Sequence, residues 1–150
     1  MEDWEILARV MIGSLHTRYV AAIDGKPPEA FAEVFTPTGV LASGITGKEV
    51  SGADLRTYIG DVRATRHEKA WQTMRHFITP ADISFTDRDH ADAQCYFTAM
   101  SAVGVDHWGM YSDQVECQDG EWLIARRSIS LLGATPGGWV HTGSVILAKN

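Results

Sequence analysis

The stretch His107-Trp-Gly-Met-Tyr111-Ser-Asp113-Gln-Val115-Glu-Cys117-Gln-Asp119-Gly120-Glu-Trp122-Leu-Ile124-Ala-Arg-Arg127-Ser-Ile129-Ser-Leu131-Leu132 decides the fold. Over His107 to Cys117 and again over Trp122 to Leu132, aromatic and β-branched residues recur with the two-residue period of a strand. Asp119-Gly120 between them is a strong hairpin signal. Strands joined so briefly run antiparallel. Upstream, Ala91 to Val103 and Trp71 to Phe85 show the same character, with breaks at Asp87-Arg88-Asp89 and Gly104-Val105-Asp106. The second half therefore reads as a four-run antiparallel meander.

Before residue 71 the period is helical. Trp4, Leu7, Met11, Leu15, Tyr19 and Ile23 recur every three or four residues and predict a helix over 4–23. Asp24-Gly25-Lys26-Pro27-Pro28 ends it, and Pro28 opens a short helix over Glu29 to Phe35 that buries Phe31 and Phe35. Val40 to Ser43 reads as a strand. Ser51-Gly-Ala-Asp54 fits a capping box ahead of a helix whose apolar face is Leu55, Tyr58, Ile59 and Val62. Helices first and an antiparallel sheet afterwards make an α+β fold, with the helices on one face of the sheet.

Composition narrows the function. At 150 residues, 45% hydrophobic and 21% charged, the chain has the size and make-up of one globular domain. Thirteen Lys and Arg against 19 Asp and Glu give a net charge of −6, which argues against nucleic acid or an anionic membrane as partner. Two cysteines, Cys95 and Cys117, are too few for a disulfide framework. The acidic start Met1-Glu2-Asp3 is unlike a secretion signal and no run is long enough to span a bilayer, so the expected location is cytoplasmic. His67-Glu68 lacks the second histidine of a zinc motif, Asp87 to Asp92 lacks the glycine of a calcium loop, and Gly133 to Gly138 lacks the Lys-Ser/Thr of a phosphate loop. No metal or organic cofactor is expected.

The order of several pieces carries a resemblance: Arg18-Tyr19-Val-Ala-Ala-Ile-Asp24, Val34-Phe35-Thr-Pro-Thr-Gly-Val40, Met74-Arg75-His76-Phe77-Ile78, Gly109-Met-Tyr111-Ser-Asp113 and Asp119-Gly120-Glu-Trp122-Leu-Ile124. Together they resemble the SnoaL-like branch of the nuclear-transport-factor-2-like superfamily over nearly the whole chain. The resemblance implies a cone-shaped, curved antiparallel sheet, with N-terminal helices enclosing a deep pocket. That superfamily hosts eliminations, isomerisations, polyketide cyclisation and non-catalytic subunits, so function rests on the pocket residues.

Asp24 follows Ile23 at the end of an apolar stripe, where it serves either as a turn residue or as a pocket carboxylate. His76 alternates with Met74 and Ile78, which puts it on an inward sheet face as a core histidine or a pocket base. Together they resemble the Asp–His dyad of the superfamily's scytalone and bile acid dehydratases, in which the carboxylate orients an imidazole that takes a proton from carbon. Tyr19, five residues before Asp24, resembles a phenol donor of the bile acid dehydratases; its other reading is packing on the helix stripe. The remaining substrate-reading groups of scytalone dehydratase fall on Ile23, Ser43, Ala102, Gly109 and Tyr111, which argues against the same substrate. A register that sets Met100 opposite His76 puts Tyr96 on the pocket face, and Tyr111 and Arg127 are further candidate substrate contacts. Arg127 either binds a substrate oxyanion or pairs with a structural Asp. His16, His90, His107 and His141 read as surface or loop positions.

The expectation is a cofactor-independent lyase, a dehydratase acting on a small apolar cyclic hydroxy or keto compound. The alternatives are a non-catalytic small subunit of a ring-hydroxylating dioxygenase, a lipophilic ligand-binding module, or an isomerase or polyketide cyclase. Phe77, Phe97 and Val115 are assigned to the outer sheet face, where a homo-oligomer, dimer or trimer, would form. The tail from Gly133 is expected to hinge on its glycines and fold back, with Trp139-Val140 and Val145-Ile146-Leu147 packing on the body as a lid or an edge strand.

Overall fold

The computed structural model describes residues 1–142. Helix α1 (Asp3–Asp24) and the one-turn helix α2 (Pro28–Ala32) lead into β1 (Phe35–Ser43) and β2 (Glu49–Ser51). Helices α3 (Asp54–Ala64) and α4 (Lys69–Gln72) follow. Strands β3 (Arg75–Ile78), β4 (Asp82–Phe85), β5 (His90–Ser101), β6 (Gly104–Gln118) and β7 (Glu121–Ala134) complete the described elements. The sheet order is β2-β1-β7-β6-β5-β3, with β4 also on β5. The sheet is curved and does not close, because β2 and β3 are both left at edges. All pairs are antiparallel except β1 with β7, which run parallel because the two helices after β1 and β2 carry the chain across before the meander begins.

Helix α1 covers the concave face with Ile12, Leu15, Tyr19, Ala22 and Ile23, all buried against Phe31, Phe35, Phe97, Tyr111 and Ile124. Its buried stripe is rotated from the expected one, so that Leu7 is 60% exposed while Ala8, Ile12 and His16 turn inward. Phe35 opens β1 rather than ending α2. Ser51 is no helix cap: it pairs with Val40 in a β1–β2 hairpin, and α3 starts after Ala53 with no side-chain cap. Trp71 belongs to α4, so the first meander run begins at Arg75 and is split in two around Pro80.

That split changes the register. Strand β4 pairs Ile83 with Ala93, and carrying this spacing forward would face His76 with Met100. At Thr79-Pro80 the pairing slips by one residue: Pro80 has no amide to give, and the Tyr96 amide bonds the Thr79 hydroxyl instead of a backbone carbonyl. His76 therefore faces Ala99, and Met100 faces Arg75. Every β5 side chain near the site is the reverse of the expected one. Tyr96 (58% exposed) and Met100 (41%) point outward and are not pocket residues, while Phe97 and, on β6, Val115 are core.

Strand β7 continues through Gly133, which is no hinge. It pairs with Trp108, whose ring lies where any Cβ at 133 would stand. The chain then turns through Pro136-Gly137 and brings Trp139 back into a second core cluster with Val62, Trp71, Met74 and Ala99. Val145-Ile146-Leu147 lie outside the described residues.

Candidate active site

Between α1, α3, the sheet and the returning segment lies a small, partly open cavity of about 50 Å³. Ile23, Phe31, Leu41, Ile59, Val62 and Ile129 give it apolar walls, and eight polar side chains reach it as well. Tyr19 enters from α1, Ser43 and Thr46 from the β1–β2 hairpin, Tyr58 from α3 and Arg66 from just beyond it. His76, His107 and Tyr111 come from the sheet.

Asp24 ends α1, and His76 sits second in β3 alongside it. The His76 ring Nδ1 lies 2.7 Å from Asp24 Oδ1, and the His76 backbone N–H donates to Oδ2 at 2.9 Å. Both side chains are almost fully buried. Burial depresses the His76 pKa, more than the Asp24 hydrogen bond raises it, and the nearby Arg66 cation pushes the same way as burial. The ring is therefore neutral at pH 7. With Nδ1–H donated to Asp24, the lone pair is left on Nε2 of a ring that lines the cavity.

Tyr19 lines the cavity and packs against Phe31, Phe35 and Tyr111. Burial raises its pKa well past the ordinary phenol value, although Arg127 opposes this, so the hydroxyl stays protonated and able to donate. Tyr111 also lines the cavity, stacked on Phe97 with centroids 4.5 Å apart. A side chain at Gly109 would strike the Phe97 ring and the Ser130 carbonyl, which explains glycine there.

Arg127 does not line the cavity. It is fully buried one layer below and forked onto Asp113, with Nε to Oδ1 at 2.7 Å and Nη2 to Oδ2 at 2.5 Å. Its guanidinium is sandwiched between the rings of Tyr19 (3.9 Å) and Tyr111 (4.3 Å). His16, expected at the surface, is buried with Nε2 2.8 Å from Asp113 Oδ2. Arg127 is thus the structural partner of an Asp rather than a substrate contact, and it supports the two tyrosines from behind.

His107 corrects a second surface expectation. It is fully buried, lines the cavity, and lies edge-on to His76 with centroids 5.8 Å apart. Its Nδ1 lies 2.8 Å from Asp106 Oδ1. The sequence held a signal for it, since His107 is in phase with the inward residues Gly109, Tyr111, Asp113 and Val115. Arg66 had no such signal; it is drawn in by stacking on Trp139, 5.0 Å from the ring. His90 and His141 are exposed, as expected. Among the described residues no cluster of three or more His, Cys, Asp or Glu is placed to hold a metal ion, and no helix is long and apolar enough to cross a membrane.

Residues 4–128 match the SnoaL-like domain family. No curated protein matches the chain. Rv3472 of Mycobacterium tuberculosis, of unknown function, superposes with a TM-score of 0.81 at 23% identity, over 98% of this chain and 91% of that one. A protein assigned as a scytalone dehydratase from Novosphingobium aromaticivorans gives 0.75 at 19% identity, covering 90% and 91%. The hexachlorocyclohexane dehydrochlorinase LinA-type3 of Novosphingobium barchaimii gives 0.72 at 16%, covering 89% and 92%. At these identities the likeness is one of fold.

Proposed function

Because the chain belongs to the SnoaL-like domain family, within the nuclear-transport-factor-2-like superfamily, we propose that its cavity is the active site of a cofactor-independent lyase. The reaction is loss of water from a small cyclic compound carrying a carbonyl and a hydroxyl. One observation carries this reading: the His76 ring lines the cavity while its Nδ1 lies 2.7 Å from the buried Asp24 carboxylate. Two similar structures bear the names of enzymes that eliminate water or hydrogen chloride, which favours elimination among the reactions the fold hosts.

In this reading His76 Nε2 takes a proton from the carbon beside the carbonyl. The C–H electron pair becomes a C=C bond, the C–O bond to the hydroxyl breaks, and His76 returns the proton to the departing oxygen to give water. Asp24 stabilises the transient imidazolium, and general base catalysis of this kind contributes roughly 10²–10⁴-fold. Charge building on the carbonyl oxygen is met by the Tyr19 hydroxyl and the Arg66 cation, which line the same cavity. Trp139, packed on Arg66 and His107, adds its indole to the cavity wall.

A panel of hydroxylated cyclic ketones tests the reading through the absorbance of the conjugated product. Wild type is expected to dehydrate members of the panel, and His76→Ala to lose that activity. Equal turnover by both proteins, or none by wild type across the panel, overturns it.

A further inference from the structure

Asp106 and His107 are consecutive residues of β6, yet both side chains are fully buried. The β5–β6 ladder shifts register between Ala99 and Met100, pairing Ala99 with His107 and Met100 with Val105, so Asp106 bulges inward beside its neighbour. Its carboxylate is fixed from several sides. The Trp139 backbone N–H donates to Oδ2 at 2.7 Å, the Val140 N–H to Oδ1 at 3.4 Å, and His107 Nδ1 lies 2.8 Å from Oδ1. The ring is further held between His76, Phe97 and Trp139, with centroids 5.6–5.8 Å away.

All of this orients one atom. His107 Nε2 is buried and has no hydrogen-bond partner among the described residues, although its ring lines the cavity. A buried polar atom without a partner is costly and uncommon, and a ligand group in the cavity would satisfy it. We propose that His107 Nε2 is the hydrogen-bonding anchor for a hydroxyl group of the ligand. The substrate class is then a small cyclic alcohol or phenol whose hydroxyl lies on His107 while a neighbouring C–H faces His76. A hydroxyl both donates and accepts, so it pairs with either tautomer of the ring, whereas a carbonyl or halogen only accepts and a methyl does neither. Asp106 is the positioning residue, and the Trp139 amide ties its orientation to the returning segment.

The proposal rests on the cavity being the substrate site, but its test needs no turnover. Phenol and toluene share a shape and differ in hydroxyl against methyl. Each is titrated into the full chain carrying ¹⁵N-labelled histidine. Phenol is expected to move the His107 Nε2 resonance, and toluene to leave it in place. Comparing the phenol-to-toluene ratio of dissociation constants between variants cancels the difference in transfer from water. His107→Leu is expected to shift that ratio against phenol by about tenfold, and His107→Gln, which keeps a hydrogen-bonding group, by much less. An unchanged ratio in His107→Leu, or a wild-type His107 resonance indifferent to phenol, overturns the proposal. If the Leu variant does not fold, the wild-type resonance and the Gln variant decide. Selective phenol binding without dehydration of any hydroxy ketone sinks the lyase reading alone, while dehydration with no phenol contact at His107 sinks the anchor alone.

Discussion

His76 is bound twice by Asp24, through its ring Nδ1 at 2.7 Å and through its backbone N–H at 2.9 Å. One carboxylate thus orients the imidazole and also pins the edge strand β3 to the end of α1. The two duties separate by substitution. In Asp24→Asn the amide oxygen still accepts the backbone N–H, but its NH₂ turns toward Nδ1 and drives the ring proton to Nε2. The expected protein is folded, with activity lower by about 10²-fold or more. Asp24→Ala removes both bonds and is expected to lose about 1–3 kcal/mol of stability as well. Denaturant midpoints beside kcat/KM check the pair; an Asn variant as active as wild type contradicts the orienting role.

The pH dependence follows from burial. The folded His76 pKa lies below its ordinary 6.5, because burial disfavours the imidazolium more than Asp24 favours it. The neutral ring is the base, so kcat/KM is expected to be level above pH 6.5 and to fall as pH drops through the depressed value. Stability has the same sign. Between that value and 6.5 the unfolded chain holds a proton that folded His76 does not, so His76 makes stability rise with pH across that window and changes nothing above it. A pH–rate profile checks this, and an acid limb above pH 6.5 contradicts it.

Arg127 should matter to folding before it matters to chemistry. Removing it leaves Asp113 buried and ionised beside His16, and breaking such a pair costs about 3–5 kcal/mol. Arg127→Ala is expected to shift thermal unfolding strongly downward. An Arg127→Ala protein of wild-type stability contradicts the structural assignment.

Much of the architecture was legible in the sequence because period reports burial. The 3.6-residue stripe ending in Ile23-Asp24 and the inward phase of His76 brought the two partners of the central hydrogen bond into view. What was lost was phase. Pro80 slips the β3 register by one residue, which turned Tyr96 and Met100 outward and Phe97 inward. The β5–β6 irregularity hid Asp106, which no strict alternation would bury. Charge misled as well: His16 and Arg127 look like surface residues, but Asp113 holds both in the interior. Trp139 was expected to pack back on the body, but its landing on Arg66 and His107 is a long-range contact that no local pattern reports.

Phe77, Tyr96, Met100, Val105, Trp108 and Leu132, on β3, β5, β6 and β7, are each 39–59% exposed. An apolar surface of this kind marks an interaction site, and we propose that a second copy of the chain covers it. Light scattering at micromolar concentration is expected to show a dimer or trimer. Trp108→Glu with Leu132→Glu is expected to give a monomer that keeps the cavity intact. A monomeric wild type contradicts the proposal.

The central claim, that His76 takes a proton from carbon, can be tested without knowing the leaving group. A simple cyclic ketone lacking a hydroxyl is incubated with the protein in D₂O near pH 7, and deuterium uptake at the carbons beside the carbonyl is followed by proton NMR. Wild type is expected to accelerate exchange above the buffer rate, and His76→Ala to return it to that rate. Exchange at the buffer rate with wild type, or equal acceleration by His76→Ala, would contradict the account.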